Sequence, residues 1–346
     1  MLYDSLCSFE NLYQAFIKAR KGKRHKPAVA AFERNLEDEL LQLQEELSGR
    51  SYRPGPYRSF YRTEAKRRLI SAAPFRDRVV HHAMVQVIEP LFERLFIFDS
   101  YANRLGKGTH RALDRCTEFL RASKYSLQCD IRQFFPSVDH AILSRELQRV
   151  VRDESVLWLC GQIMGTGVGV LDEEYEMAWF AGDDLLAACR LRGLPIGNQT
   201  SQFWANVMLN PLDNFIKRQL KCRRYLRYVD DLLLFADSKP QLHEWLMEIR
   251  GFLGSLRMTL HENACPVRPS AEGLPFLGFI VYPDHRRMNP RRGIAYRRRL
   301  FDLVEEYRRG SIPLDRLNSS VQGWAAHAAH GDTWGLRRSV FGNISL

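Results

Sequence analysis

The sequence lacks both a long apolar run and paired cysteines. No hydrophobic stretch approaches the roughly 18 residues that a membrane-spanning helix needs, so we expect no membrane insertion. There is no Cys-x-x-Cys pair and no secretory leader before the first cysteine, which argues against a secreted disulfide scaffold. The scattered cysteines are Cys7, Cys116, Cys129, Cys160, Cys189, Cys222 and Cys265. We predict that they are reduced thiols in a cytoplasmic protein.

Positive charge, in contrast, is present in excess. The 346 residues carry 51 Lys and Arg against 40 Asp and Glu, a formal net charge of +11 at pH 7. Such a balance favours a polyanionic partner, and nucleic acid is the simplest candidate. The length suits two or three subdomains around a large core.

Asp230 and Asp231 form an acidic pair inside an otherwise apolar run, Arg227 to Phe235. Burying such carboxylates without a partner would cost several kcal/mol. Residues 225–229 and 232–236 have the composition of two short strands, so the pair should project from a tight hairpin. A solvated acidic turn is the ordinary alternative. The apolar strands on both sides and the tyrosine before the pair favour a metal site.

A third carboxylate, Asp130, ends a predicted strand one hundred residues earlier and is followed by Phe134 and Phe135. Mg²⁺ takes one or two carboxylates together with waters and substrate phosphates. Two such ions, roughly 3.5–4 Å apart, activate a 3′-hydroxyl and hold the leaving pyrophosphate in line. We therefore predict that Asp130, Asp230 and Asp231 meet at a two-magnesium centre for nucleotidyl transfer.

A second acidic pair, Asp183 and Asp184, lies in a loop that no apolar strands flank. We reject it as the metal site and predict that Asp183 caps a helix beginning near Leu185.

Two other segments suit a nucleotide pocket. Residues 60–70 alternate like a strand and carry Lys66, Arg67 and Arg68, whose cations match a triphosphate. The segment Gly193–Gln202 precedes a periodic helix predicted over 203–220. A plain loop and helix cap would explain this segment without function, but its place between the two acidic elements favours a role in shaping the pocket.

Taken in order, these elements resemble those of a reverse transcriptase over almost the full chain. The matching segments are Lys66–Ile70, Ser100–Arg104, Asp130–Ser137, Ile196–Gln202, Tyr228–Asp231 and Gly273–Phe279. The chain is most similar to the reverse transcriptases of diversity-generating retroelements, because its central loop reads Ile196-Gly-Asn-Gln-Thr-Ser-Gln202 where most reverse transcriptases carry Gln-Gly and end in Ser-Pro. Gln199 departs from that group's usual leucine.

The resemblance implies an α+β, right-hand polymerase fold with fingers, a palm whose antiparallel sheet packs on helices, and a helical thumb. We predict N-terminal helices and fingers over 1–125, a palm over 126–284 with a fingers-side insertion near 153–192, and a thumb over 285–346.

The resemblance also implies roles for single residues. Asp130, Asp230 and Asp231 would ligate Mg²⁺, assisted by the main-chain carbonyl of Ile131. Phe135 would lie under the sugar and collide with a ribose 2′-hydroxyl. The other residues expected to bind the nucleotide are Lys66, Arg68, Ile196 and Gln202.

The proton donor to pyrophosphate stays unassigned. Many reverse transcriptases use a lysine where this chain has Ala264. His261 is a nearby alternative, but a surface histidine is the simpler interpretation.

Seven arginines and no acidic residue occur between His285 and Arg299. Such a segment can be a solvated helix face, but the absence of acids favours contact with a phosphate backbone. The residues expected to contact nucleic acid are Arg104, Arg291, Arg292, Arg297, Arg298 and Arg299.

The implied partners are a template RNA with its primer, the RNA–DNA hybrid, dNTPs and an accessory variability protein. The implied product is cDNA mutated chiefly opposite template adenines. Two alternatives stay open. One is another bacterial reverse transcriptase of the group II intron, retron or phage-defence type, and the other is a non-catalytic RNA-binding scaffold.

Overall fold

The computed structural model describes residues 1–63, 67–261 and 265–342. The helices in these ranges are α1 (Leu2–Cys7), α2 (Phe9–Arg20), α3 (Pro27–Arg34), α4 (Leu36–Ser48), α5 (Phe75–Glu93), α6 (Thr109–Arg121), α7 (Phe134–Ser137), α8 (His140–Gln148), α9 (Glu154–Thr166), α10 (Gln199–Asn214), α11 (Lys239–Ser255), α12 (Pro290–Arg308), α13 (Leu314–Ala328) and α14 (Trp334–Phe341). The strands are β1 (Arg58–Thr63), β2 (Arg67–Ala72), β3 (Tyr125–Asp130), β4 (Tyr225–Tyr228), β5 (Asp231–Ala236), β6 (Val267–Pro269), β7 (Leu274–Phe276), β8 (Phe279–Val281) and β9 (Arg286–Met288). None of the helices described is both long and apolar enough to cross a bilayer.

The N-terminal helices α1–α4 pack around α5. Phe16 of α2 stacks on Phe32 of α3 with ring centroids 5.7 Å apart, and Phe75 at the start of α5 meets Phe32 edge-on at 5.2 Å. On α4, three leucines at helical spacing are fully buried: Leu40, Leu43 and Leu47. This amphipathic stripe is the reason that the helix packs inward.

The central sheet has the antiparallel order β4-β5-β3-β6. Along β5, Leu232 and Leu234 join the core that contains α10 and α11, whereas Leu233 and Phe235 join a second core that contains α6. Successive strand side chains point to opposite faces. Because both faces are covered, β5 is an unbroken apolar run instead of an alternating one.

The segment predicted as one strand over 60–70 is a hairpin. β1 and β2 pair from Arg58 opposite Ala72 to Thr63 opposite Arg67, and all of β1 is exposed. The prediction of a single strand was wrong because both strands of the exposed hairpin have the same alternating polar pattern, so the pattern does not reveal that there are two strands. Lys66, with residues 64 and 65, lies outside the described ranges.

The C-terminal part combines a three-stranded sheet, β7-β8-β9, with helices α12–α14. These helices have a small core of their own, in which Tyr296 stacks on Trp324 at 4.4 Å. Strand β3 begins at Tyr125, beside the predicted division at 125/126; that division stays a prediction. The other predicted domain limits stay predictions.

Candidate active site

The acidic pair sits at the tip of a tight hairpin. Tyr228 of β4 pairs with Asp231 of β5, so only Val229 and Asp230 form the connection. Val229 has a φ of 55°, a left-handed conformation that is unusual and strained for a β-branched residue. Asp231 is already the first residue of β5, one position earlier than the sequence suggested. Both aspartates are half-buried.

The sheet register brings Asp130 to the same place. Asp130 ends β3 directly opposite Asp231, and such cross-strand partners have Cβ atoms about 4.5–5.5 Å apart. The amide of Ile131 donates to the carbonyl of Asp230 at 3.4 Å. Residues one hundred positions apart in the chain are therefore neighbours, and a shift of one residue in register would turn Asp130 to the other face.

No ready-made cage of three or more His, Cys, Asp or Glu side chains that could hold a metal ion occurs in the described part of the chain. Mg²⁺ does not require one, since waters and substrate phosphates complete its six oxygen ligands. The observation that bears on metal binding is therefore the backbone register, which sets Asp130 opposite Asp231, with Asp230 beside it in the hairpin turn.

A cleft of about 490 Å³ opens beside these strand ends. Its lining includes most of the residues that the sequence singled out: Arg68, Asp130, Ile131, Phe135, Ile196, Gln202 and Asp230. Arg68 is exposed, and Phe135, Ile196 and Gln202 are half-buried. Their side chains come from β2, α7, the loop before α10 and α10 itself. The structure thus assembles the predicted nucleotide residues around one space, apart from Lys66.

The loop before α10 forms one wall of the cleft and is fixed by buried amide contacts. Asn198 donates to the carbonyls of Ser71 and Pro195 at 3.0 and 3.1 Å, and the amide of Ser71 donates to the Ile196 carbonyl at 2.8 Å. Gly197 has a φ of +116°, and a Cβ there would lie 3.1 Å from the Ile70 side chain. The asparagine and the glycine therefore attach the β1–β2 hairpin to this wall. Helix α10 begins at 199, earlier than the predicted 203.

Other residues that line the cleft are His261, which the sequence offered as an alternative proton donor, and four to which it assigned no role: Asn103, Gln133, Leu171 and Glu174. Glu174 accepts a hydrogen bond from the hydroxyl of Tyr61 at 3.0 Å. Nothing in the local sequence around Glu174 indicates this contact, because its partner lies 113 residues away. His261 lies 4.0 Å from an Asp130 carboxylate oxygen.

Arg104 is turned into the protein. Its side chain is 5% exposed and binds Glu93 through three contacts of 2.6–3.1 Å. It also donates to the carbonyls of Ile97 and Ser100 at 2.7 and 2.8 Å. This geometry corrects the expectation that Arg104 contacts nucleic acid, because all these donors serve to hold the loop after α5.

The five C-terminal arginines, by contrast, are all exposed on α12: Arg291, Arg292, Arg297, Arg298 and Arg299. The apolar side of the same helix, with Leu300 and Leu303, packs inward. An exposed cationic face of this kind is available to a phosphate backbone.

The second acidic pair is engaged elsewhere. The side chain of Asp183 is buried and binds Arg190 and Arg257 at 3.0 and 2.6 Å. Asp184, not Asp183, caps the short helical turn that begins at Leu185 by accepting from the amide of Leu186. The prediction for Asp183 was wrong because its carboxylate pairs with Arg190, seven residues later, and with Arg257 instead of capping the turn.

The sequence pattern of the family described as "Reverse transcriptase (RNA-dependent DNA polymerase)" matches residues 60–281. The chain belongs to the reverse transcriptase family. This membership confirms the predicted enzyme class, an RNA-directed DNA polymerase, and agrees with the predicted α+β right-hand fold.

Curated relatives of the reverse transcriptase include bacterial proteins. Protein YkfC of Escherichia coli strain K12 is 25% identical, with 74% of each chain covered. The group II intron-encoded protein LtrA of Lactococcus lactis subsp. cremoris is 23% identical over 78% of this chain and 54% of LtrA. The chain thus spans about three quarters of one relative and about half of the other.

Among solved structures, apo telomerase from Candida tropicalis superposes with a TM-score of 0.51 at 11% identity, covering 68% of this chain and 48% of the telomerase chain. At that identity the likeness concerns the fold alone.

Proposed function

We propose that this reverse transcriptase copies a template RNA into cDNA by nucleotidyl transfer at the cleft beside Asp130. The observation that carries the proposal is the register of β3 against β5, which sets Asp130 opposite Asp231 beside a space lined by Arg68 and Phe135. Asp130, Asp230 and Asp231, with the Ile131 carbonyl, would hold two Mg²⁺ ions. Bound there, the ions would lower the pKa of the primer 3′-hydroxyl and neutralise the pyrophosphate.

The residues around the cleft would then hold the nucleotide. Arg68, on the exposed hairpin strand, would bind the triphosphate, and Lys66 is proposed to assist it. Gln202 and Ile196 would contact the base pair from the wall before α10. Phe135 would lie under the deoxyribose. Each of these assignments can be tested by a single substitution.

We further propose that the chain belongs to the diversity-generating retroelement class, on the motif Ile196–Gln202, with an accessory variability protein as its partner and errors concentrated at template adenines. Of the named relatives, LtrA supports the alternative, a reverse transcriptase of the group II intron type, because it is a group II intron-encoded protein. A cytoplasmic location fits the seven free cysteines, which suit a reducing compartment.

Primer extension on RNA followed by sequencing of the cDNA tests the activity and the class together. Purified protein, an RNA template, an annealed primer, dNTPs and Mg²⁺ should yield full-length DNA. Substitutions concentrated at template adenines support the retroelement class. An even spread over all four bases moves the chain to the intron-type alternative, and no product at all contradicts the proposed activity.

Phe135→Val is expected to relax sugar discrimination. The smaller side chain leaves room for a 2′-hydroxyl, so the ratio of kcat/KM for dNTP over rNTP should fall by roughly 100-fold. Single-nucleotide incorporation with matched dNTP and rNTP measures the ratio. Phe98→Ala, which removes a 70% exposed ring outside the residues described as lining the cleft, is the control. An unchanged ratio in Phe135→Val contradicts the proposed role.

Replacing Arg291 and Arg298 by glutamine is expected to weaken binding of an RNA–DNA hybrid and to make it less salt-sensitive. Each lost phosphate contact should reduce the slope of log K against log salt by about 0.7–0.9. Fluorescence anisotropy over a KCl series measures the slope. Arg145→Gln, an exposed arginine on α8, should leave it unchanged. A slope that stays constant in the double variant shows that this helix face is merely solvated.

A further inference from the structure

Arg227 is a fully buried cation within the hairpin that carries the acidic pair. Its side chain and that of Asp213 on α10 are both 0% exposed. The Arg227 Nε donates to the two carboxylate oxygens at 2.9 and 3.0 Å, and an Nη donates to one of them at 2.8 Å. The hydroxyl of Tyr225 completes the set by donating to Asp213 at 2.7 Å.

Burial, and then the neighbouring Asp213 carboxylate, raise the pKa of Tyr225 well above its ordinary value, which agrees with a protonated hydroxyl that donates to Asp213. The carboxylate therefore has three donor groups around it, all from Tyr225 and Arg227, which lie two residues apart and so on one face of β4. These hydrogen bonds fix the orientation of the Arg227 guanidinium.

The remaining guanidinium nitrogen of Arg227 reaches the hairpin tip. It donates to the carbonyl of Val229 at 3.0 Å and to the side-chain oxygen of Asn206 at 3.2 Å. Asn206 is also buried and donates to the carbonyl of Ala102 at 3.0 Å. The network thus extends from α10 to the segment that precedes Asn103, which lines the cleft.

Asp230 is consequently held through the peptide groups on both of its sides. The carbonyl before it, of Val229, is bound by Arg227, and its own carbonyl is bound by the amide of Ile131 at 3.4 Å. The first of these contacts also fixes the left-handed Val229, whose φ of 55° is costly without support. Fixing both peptide planes fixes the direction in which the Asp230 side chain leaves the backbone.

Stability alone is a weak reason for such a pair. The free energy needed to remove two charges from water offsets much of their electrostatic attraction. A protein with well-packed apolar residues in place of a buried ion pair is therefore often equally stable. A buried guanidinium with a planar fork offers directional hydrogen bonds that an apolar side chain lacks. The pair is better explained by the position that it imposes on the hairpin tip.

We propose that Arg227 is a positioning residue for nucleotidyl transfer: fixed by Asp213 and Asn206, it holds the Val229 carbonyl and thereby sets the Asp230 carboxylate for metal binding. This inference rests on the proposed function of the cleft. It predicts that disturbing Arg227 alters how the enzyme uses metal, over and above any effect on folding.

Arg227→Lys is the test variant, because lysine retains the charge opposite Asp213 but has no second nitrogen to reach Val229. The folded fraction is measured by circular dichroism, and kcat is expressed per folded molecule. This kcat should fall about 10- to 100-fold, as expected for a misplaced catalytic group. The Mg²⁺ concentration for half-maximal rate should rise, while the Kd for template-primer stays within about twofold. Arg76→Lys, which alters an ion pair with Glu46 among the N-terminal helices, should leave the Mg²⁺ dependence unchanged.

If Arg227→Lys does not fold, Asn206→Ala replaces it, since it removes one support of the guanidinium without leaving a buried charge. The same shift in Mg²⁺ dependence, of smaller size, is then expected. An unchanged kcat and unchanged Mg²⁺ dependence per folded molecule overturn the positioning role, whereas absence of synthesis by the unsubstituted protein overturns the proposed function instead.

Discussion

Asp230→Asn is expected to reduce DNA synthesis on an RNA template by several orders of magnitude, roughly 10³-fold or more. Asparagine keeps the size of the side chain but removes the negative charge at the hairpin tip. If Asp230 helps to hold two Mg²⁺ ions, the change removes several kcal/mol of transition-state stabilisation, and each 1.4 kcal/mol corresponds to about tenfold in rate. Single-turnover primer extension at saturating template-primer measures the loss.

Two comparisons make this result specific. Asp130→Asn should cause a loss of similar size, because the register places it opposite Asp231. Asp284→Asn, at a carboxylate that is 81% exposed, should retain full activity. Synthesis by Asp230→Asn at the unsubstituted rate would favour the non-catalytic scaffold and would remove the basis for the metal assignment.

Asp213→Ala is expected to lower the free energy of unfolding by about 3–5 kcal/mol, because it leaves the Arg227 guanidinium buried without its counter-charge. The hydroxyl of Tyr225 loses its acceptor in the same step. Urea unfolding followed by circular dichroism measures the change as a shift of the midpoint at constant slope.

The double variant Asp213→Leu with Arg227→Met separates two contributions to the free energy of unfolding: the destabilisation by an unpaired buried charge, and the net stabilisation by the intact ion pair. With both charges gone and apolar volume in their place, most of the stability lost by Asp213→Ala should return. Its activity should nevertheless stay low, because nothing then binds the Val229 carbonyl. A loss below about 1 kcal/mol in the single variant would show that water reaches Arg227, contrary to its complete burial.

The parts of the site that could be predicted from sequence are those with a strong local pattern. Two apolar strands around Asp230 and Asp231 leave a hairpin as the simplest structure, and the hairpin is present. The aromatic residues after Asp130 place Phe135 beside the same cleft. In both cases the pattern is local: a buried apolar strand ends at a carboxylate, and these few neighbouring residues are enough to predict the backbone structure.

The errors come from contacts that only the folded chain makes. Arg104 was expected to contact nucleic acid, but Glu93, eleven residues earlier, binds it. Asp183 was expected to cap a helix, but Arg257 lies 74 residues away in the sequence and close in space. The charge of a residue does not indicate whether its side chain forms an ion pair within the protein or contacts a bound ligand.

The buried network around Arg227 also depends on contacts that the sequence alone does not reveal. An arginine inside an apolar strand indicates an unusual environment, because a buried cation needs a partner. The identity of that partner depends on how α10 packs against β4, which no local pattern gives. Asp213 and Asn206 therefore had no assigned role until the fold brought them to the hairpin.

The proposed convergence of Asp130, Asp230 and Asp231 on one metal centre is tested most directly by iron-mediated backbone cleavage. Fe²⁺ substituted for Mg²⁺ in the presence of ascorbate and peroxide generates hydroxyl radicals at the bound ion, and the cut positions are mapped by mass spectrometry. We predict cuts at residues 130–131 and at 229–231 together, suppressed by excess Mg²⁺ and lost in Asp230→Asn. Cuts at only one of these two segments, or cuts that persist in Asp230→Asn, would contradict a shared centre.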